Sequence, residues 1–295
     1  MNTMISHHVA IFLLGLTGFL ALASGALHAG VSAIDDQGNR VELAAPASRI
    51  ISLAPHATEL LYSAGAGRNI AATVAHSDYP AAAQALPRVG DAANLDLERI
   101  LQLDPDLIVA WASGLPASQL ARLRALGIPV FLSQPDSLEA IAASIENLGR
   151  LAGTRMQADA SAAIFREELA RLSHAYADNA TSRVFYQIWE QPLMTVNGDH
   201  LISQIIALCG GQNVFADLQP LVPRISREAV LKENPEVILI SAAEGHPDKS
   251  PGQWAKWQSL AAVRDQRVHY VPWSEISRPT VRMLNAVDRI CGVLR

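Results

Sequence analysis

At 295 residues, half of them hydrophobic, the chain holds enough apolar material for about two domain cores. Charged residues make up only 17% and the net charge is −5, so there is no basic run to support nucleic-acid binding. The two cysteines, Cys209 and Cys291, form no CxxC motif and make a poor metal set by themselves.

The first elements concern export. An apolar stretch from Val9 to about Ala26, interrupted by Gly15 and Gly18, is followed by small residues with cleavage points after Ala29 or Ala33. This pattern predicts a secretory signal peptide over residues 1–29 and a periplasmic mature protein, although no Lys or Arg precedes the apolar run. An uncleaved anchor is the alternative. An even cysteine count in an oxidising compartment favours a Cys209–Cys291 disulfide, the alternative being two buried thiols.

The mature chain alternates strand and helix. "NRVEL" reads as an edge strand, "RIISLA" as a buried strand and "HATELLYSAGAG" as a helix ending in Gly. "NIAATVA" follows as a strand, then "DLERILQL" as a helix capped by Asp96 and stopped by Pro105. "DLIVAW", "PASQLARLRALG" and "IPVFLS" continue as strand, helix, strand. Two helical stretches come next, Ser137–Leu151 and then "TRMQADASAAIFREELARLSHAYAD". In the second, Phe165, Leu169, Leu172 and Tyr176 fall on one face, and the length suits a helix that crosses between lobes. The alternation then restarts with "RVFYQIW" (strand), "LISQIIALCGG" (helix), "SREAVLKEN" (helix), "EVILIS" and "RVHYV" (strands) and the closing helix "TVRMLNAVDRICGVL". The expected architecture is α/β: an N-terminal lobe over residues 30–152, a linking helix over 153–178 and a C-terminal lobe over 179–295.

The halves also share a unit. "DLERILQLDPDLIVAW" and "SREAVLKENPEVILIS" both carry a capping residue, a Glu two places on (Glu98, Glu228), and a Pro followed by an acid and an apolar strand. Each glutamate has an ordinary explanation, since an acid in a helix's first turn is stabilised by the helix dipole by about 0.3–1 kcal/mol.

A search for enzyme chemistry finds no GxSxG, HExxH or Walker loop, and the histidines lack ligand spacing. Aromatic residues are scarce, at 5%, so their placement is informative. Trp111 and Trp189 each end a strand, one in each half, where open α/β sheets bind ligands. Tyr79, in the loop "HSDYP", and His56, directly after a strand, are further candidates to face the cleft. Trp254 and Trp257 read as packing residues, and Trp273 stays open between packing and ligand.

Taken together, "RIISLAPHATELLYSAGAG", "HSDYP", "LDLERILQLDPDLIVAW", "LCGGQNVF" and "SREAVLKENPEVILI" resemble the helical-backbone periplasmic substrate-binding proteins for cobalamin, haem and ferric siderophores. Within that group the chain is most similar to the cobalamin binders, from about Ser48 to Cys291. The resemblance implies two Rossmann-like lobes with mainly parallel sheets joined by one long α-helix. It implies a non-enzymatic monomer that carries a corrinoid to an inner-membrane ABC permease dimer, with cobalamin as cargo and no cofactor or resident metal. Tyr79 and Trp111 match cleft-lining positions, with Trp189 on the corresponding strand end of the other lobe. Glu98 and Glu228 match the acids that dock on permease arginines, and Cys209 and Cys291 match a family disulfide.

One departure stands out. The cobalamin binders carry a Trp just before the proline ahead of "SRE", and this chain has Val222 there, with Trp189 as the candidate to compensate. Two alternatives follow from the residues. The same fold could bind haem through His56 or Tyr79, or a ferric siderophore through Arg224, Arg278 and Arg282. A periplasmic enzyme or dithiol redox protein is the reading from another class.

Overall fold

The computed structural model describes residues 30–91, 94–243 and 252–295. The segment read as a signal peptide lies outside them.

The N-terminal lobe begins with a hairpin the sequence only half reveals. β1 (Val31–Ile34) pairs antiparallel with β2 (Arg40–Leu43). The Asp35 carboxylate holds the turn, accepting from the backbone N–H groups of Gln37 at 3.0 Å and Asn39 at 2.7 Å. The lobe's sheet is wholly parallel, in the order β4-β3-β5-β6, built from β3 (Ile50–Ser52), β4 (Ile70–Ala72), β5 (Leu107–Trp111) and β6 (Val130–Ser133). The helices between them are α1 (Pro55–Ser63), α2 (Leu97–Gln102) and α3 (Ala117–Ala125).

The C-terminal lobe repeats the plan in the order β10-β9-β7-β8, again all parallel. Its strands are β7 (Ser182–Gln187), β8 (Gly211–Asn213), β9 (Val237–Ala242) and β10 (Val268–Pro272). Helices α6 (Leu201–Leu208), α7 (Arg227–Glu233), α8 (Ala261–Arg264), α9 (Trp273–Ile276) and α10 (Met283–Leu294) complete it. "GQWAK", around Trp254, forms a short 3₁₀ turn.

Both sheets are buried on both faces, which is why their strands read as unbroken apolar runs. The faces still alternate with period two. Ile50, Leu107 and Val109 share a core with Val184, Tyr186, Val237 and Leu239, while Ile51, Ile108 and Ala110 face away into a core of their own. The opposite face of the second sheet is built on Phe185, Ile238 and Ile240, closed by the fully buried Trp254. Trp254 meets Phe185 edge-on with ring centroids 5.7 Å apart, and its indole N–H donates to Gln187 Oε1 at 2.8 Å. The packing reading of this tryptophan is therefore correct.

Two helices lie between β6 and β7, and the second of them spans the lobes. α4 (Leu138–Leu151) is capped by the Ser137 hydroxyl, which accepts from Ala140 N–H at 3.1 Å. α5 (Arg155–Ala175) has 21 residues, which at about 1.5 Å each gives it the reach expected of a linker. Its N-terminus is anchored on the first lobe, where Thr154 Oγ1 donates to Ala64 O at 2.6 Å. Its C-terminus reaches the second, where the Tyr176 hydroxyl donates to Asp288 Oδ1 at 3.0 Å. Phe165 and Leu172 are buried on the expected face, with Leu169 and Tyr176 packed beside them.

The repeated unit acquires a physical account. In each copy the capping side chain accepts an N–H three residues on: Asp96 from Arg99 at 2.9 Å, Ser226 from Ala229 at 3.2 Å. Each helix is brought to an end by a residue with positive φ before the proline, Asp104 at 48° and Asn234 at 44°. The acid after the proline then clamps the start of the central neighbouring strand. Asp106 accepts from the N–H groups of Ser48 at 2.8 Å and Arg49 at 3.1 Å, and Glu236 from that of Arg183 at 2.8 Å. Those two arginines return the contact to the helix C-terminus, Arg49 Nε to Leu103 O at 2.9 Å and Arg183 Nη2 to Glu233 O at 2.9 Å.

Candidate functional site

The candidate site lies where the C-terminal ends of both sheets face one another. From the first lobe, β5 delivers Trp111 to its end, with 42% of its surface exposed. His56, in the first turn of α1, lies behind it. The imidazole is buried, meets the Trp111 ring edge-on at 5.9 Å and 81°, and has no hydrogen-bond partner at Nε2. Burial pushes its pKa down to about 4, against a hydrogen bond to the Ser133 backbone that raises it, so the ring is neutral near pH 7. As placed, it is Trp111 that His56 presents to the cleft.

From the second lobe, β7 ends at Gln187, two residues before Trp189, which therefore projects from the following loop. Its indole N–H donates to Gln191 O at 3.0 Å, and its ring stacks on Trp273 with centroids 6.5 Å apart and planes 20° from parallel. Trp273 directly follows β10, so it obeys the same strand-end logic as Trp111 and Trp189. Both members of the pair are about half exposed, at 53% and 45%. They flank an inter-lobe cavity of about 600 Å³ bounded by His76, Asp78, Ser241 and Arg278. A second cavity of about 320 Å³ adjoins it, sharing Trp189 and Trp273 and running back to Gln187 and Tyr270. The structure thus joins His56 to Trp111 and Trp189 to Trp273, while Tyr79 belongs to a third cluster.

That third cluster spans the cleft floor. Glu59, on α1, is buried with only 2% exposed, yet it carries a carboxylate. Three donors from the second lobe satisfy it: Arg278 Nη1 at 2.9 Å, Thr280 Oγ1 at 2.9 Å and Arg282 Nη1 at 3.4 Å. Arg278 also donates to Asp78 Oδ1 at 2.8 Å and His76 O at 3.1 Å. Burial works against ionisation of Asp78, but Arg278 and then Arg282 hold its carboxyl below the ordinary value. Arg282 lies over the Tyr79 ring, 4.5 Å from its centroid. This clasp ties "HSDYP" of one lobe to the segment before α10 of the other. Sequence reasoning missed Glu59 and Thr280, and it placed Arg278 and Arg282 as candidate siderophore ligands. Both are already neutralised by carboxylate, and Arg224 is exposed.

The docking candidates are on the surface. Glu98 and Glu228 are exposed in the first turns of α2 and α7. The carboxyl of Glu228 is held below its usual range by its own backbone N–H and by the Ser226 hydroxyl. Cys209 and Cys291 form a buried disulfide between the end of α6 and α10, with Cα atoms 4.5 Å apart. The dithiol reading loses its free thiols. Among the described residues no group of three or more His, Cys, Asp or Glu could hold a metal ion.

A periplasmic binding protein family model matches residues 50–273. The chain belongs to the periplasmic binding protein family. Relatives sharpen the placement. This periplasmic binding protein is 41% identical over 254 residues to the vitamin B12-binding protein of Vibrio cholerae serotype O1, covering 85% of this chain and 90% of that one. It is 41% identical over 245 residues to the vitamin B12-binding protein of Yersinia pestis, covering 83% and 85%. The crystal structure of the periplasmic vitamin B12 binding protein BtuF of Vibrio cholerae is similar with a TM-score of 0.77 at 42% identity, covering 84% of this chain and 97% of that one. The periplasmic heme-binding protein RhuT of Roseiflexus has a TM-score of 0.73 at 22% identity and shares the fold.

Proposed function

We propose that this periplasmic binding protein captures cobalamin between its lobes and delivers it to an ABC importer. The observation that carries the reading is the stacked, half-exposed Trp189–Trp273 pair at the inter-lobe cavity, with Trp111 exposed at a strand end of the other lobe, in a chain over 40% identical to proteins named for vitamin B12 binding. A corrinoid is large and flat, and aromatic faces with scattered polar neighbours suit it. Trp111 presents one wall and the Trp189–Trp273 pair the other. Ser241, Asp78 and the Ala243 backbone supply polar partners for the ligand's amides. Trp189 and Trp273 replace the aromatic wall that Val222 lacks. The carrier does no chemistry in this reading, the segment 1–29 directs export, and Glu98 and Glu228 dock on the permease. The two candidate axial groups for haem favour corrinoid instead, since His56 sits behind Trp111 and Tyr79 under Arg282.

Calorimetric titration of purified protein with cyanocobalamin tests the proposal, with haem as the competing ligand. Micromolar or tighter cyanocobalamin binding, weakened about ten-fold by Trp189→Ala or Trp273→Ala, is the expected result. Millimolar binding, or preferential haem binding with a Soret shift lost in His56→Ala, would overturn it.

A further inference from the structure

The plane of the Trp111 indole is set by something that has no side chain. Gly114 lies three residues on, in the loop after β5. A Cβ built on it would stand 1.9 Å from Cε3 of Trp111, 2.4 Å from Cδ2 and 2.7 Å from Cζ3. The six-membered ring of the indole therefore rests directly on the Gly114 backbone. Gly114 does not adopt a positive φ. Its conformation is open to any residue, so backbone geometry does not demand glycine there. The indole does.

The seat itself is rigid. Leu115 N–H donates to Trp111 O at 3.0 Å, Ala112 N–H to Ser133 O at 3.1 Å, and Ser113 N–H to Gln134 Oε1 at 2.9 Å. These bonds tie the loop to its own start and to the end of β6, so a side chain at Gly114 has no easy way to retreat. The seat fixes one face of the ring and the buried His56 abuts it edge-on. With two sides held, the indole keeps one orientation while 42% of it stays exposed. An aromatic wall gains affinity when its plane is set in advance, because no rotamer freedom is lost on binding.

We infer that Gly114 is a positioning residue for ligand capture, keeping bare the seat that holds the Trp111 indole in its binding plane. The ligand half of this inference rests on the cobalamin reading, and the seat half does not. The two are separated by experiment. The Trp111 indole N–H resonance is assigned by its loss in Trp111→Phe, and is followed in ligand-free Gly114→Ala. The expected result is a shift of that resonance with the other tryptophans unmoved. Affinity for cyanocobalamin should fall roughly three- to ten-fold, the worth of one aromatic contact. Adding Gly114→Ala to Trp111→Ala should bring no further loss, because the ring to be displaced is already gone. Gly67→Ala is the control for ordinary crowding. A Cβ there would stand 2.5 Å from the Tyr62 ring, which packs against the core, so it should lower the melting temperature without changing affinity.

An unmoved Trp111 resonance in Gly114→Ala would overturn the seat. A moved resonance with unchanged cyanocobalamin affinity would overturn the role in capture. If Gly114→Ala lowers melting as Gly67→Ala does while affinity is retained, Gly114 is a packing residue. If wild type itself fails to bind cyanocobalamin, the capture role falls with the cobalamin reading while the resonance still decides the seat.

Discussion

Replacing Glu59 should have effects far beyond its own position on α1. Its carboxylate is 1% exposed as a side chain and faces two guanidiniums that are 20% and 17% exposed, so bulk solvent screens these pairs little. Glu59→Ala leaves two cations in a partly dry space, with only the exposed Asp78 to answer Arg278. Removing one partner of such a group costs about 3–5 kcal/mol, most of it from the charges left behind. Glu59→Gln keeps the shape and one acceptor while losing charge assistance, which costs about 1.5–3 kcal/mol. With about 2–4 °C of melting per kcal/mol in a chain of this size, Glu59→Ala should melt roughly 10 °C lower and Glu59→Gln roughly 5 °C lower. Differential scanning calorimetry is the assay, with the shape of the transition as a second readout. The clasp couples the lobes, so its loss should broaden or split the endotherm. Arg282 sits over Tyr79 and is itself held by Glu59, so cyanocobalamin affinity should fall too. A Glu59→Ala protein melting within about 2 °C of wild type, on the same scale, would show that water solvates the two arginines as well as the carboxylate does. The clasp would then be a crossing point of surface charges.

Three further outcomes follow from the geometry. Burial pushes the pKa of both His56 and His200 down to about 4, and neutral His200 Nδ1 caps α6 by accepting Ile202 N–H at 3.1 Å. Both groups bind protons more readily when unfolded, so stability is full above the ordinary histidine value near 6.5 and is lost as pH falls towards about 4. Melting profiles across that range should flatten in His200→Asn, which caps without titrating, and an unchanged slope would contradict the assignment. The disulfide closes a loop with a sequence separation of 82, so Cys209→Ser/Cys291→Ser should destabilise by about 4 kcal/mol in chemical denaturation; a loss under about 1 kcal/mol would remove that loop-closure account. Glu98→Ala/Glu228→Ala should leave cyanocobalamin affinity and melting nearly unchanged yet abolish cobalamin uptake in cells, and normal uptake would return both glutamates to dipole-friendly helix starts.

The parallel lobes were legible because buried parallel strands leave a strong mark. Runs such as "LIVAW" and "VILIS" between helices with clear caps have few other readings. Asp96 and Ser226 capped as their spacing suggested, since a cap is a local event. β1 escaped notice because "VSAI" is short and gains its meaning only from β2, which pairs with it. The strand-end rule points to Trp111 and Trp189, and it applies equally to Trp273 after "HYVP". The clasp was out of reach. Glu59 lies on a helix that reads as ordinary, and its donors are more than two hundred residues away, with no periodicity to connect them. Gly114 carries no pattern either. Its meaning depends on where an indole lands.

The stretch from Arg278 to Cys291 has a consequence for the order in which the molecule is completed. Every strand of the first sheet lies between Ile50 and Ser133, so that lobe can assemble while the rest of the chain is still arriving. The second sheet's strands are finished by Pro272. What remains is the closing stretch, and it brings the donors for Glu59, the partner for Cys209 and the Tyr176 contact at Asp288. Until it arrives, Glu59 has none of the donors that satisfy it and Cys209 has no partner. A nascent or truncated chain lacking this stretch would have its first sheet assembled, its second lobe still without the core face of α10, and the two lobes unlatched. It would be open to proteases and to wrong thiol partners until its last helix docks.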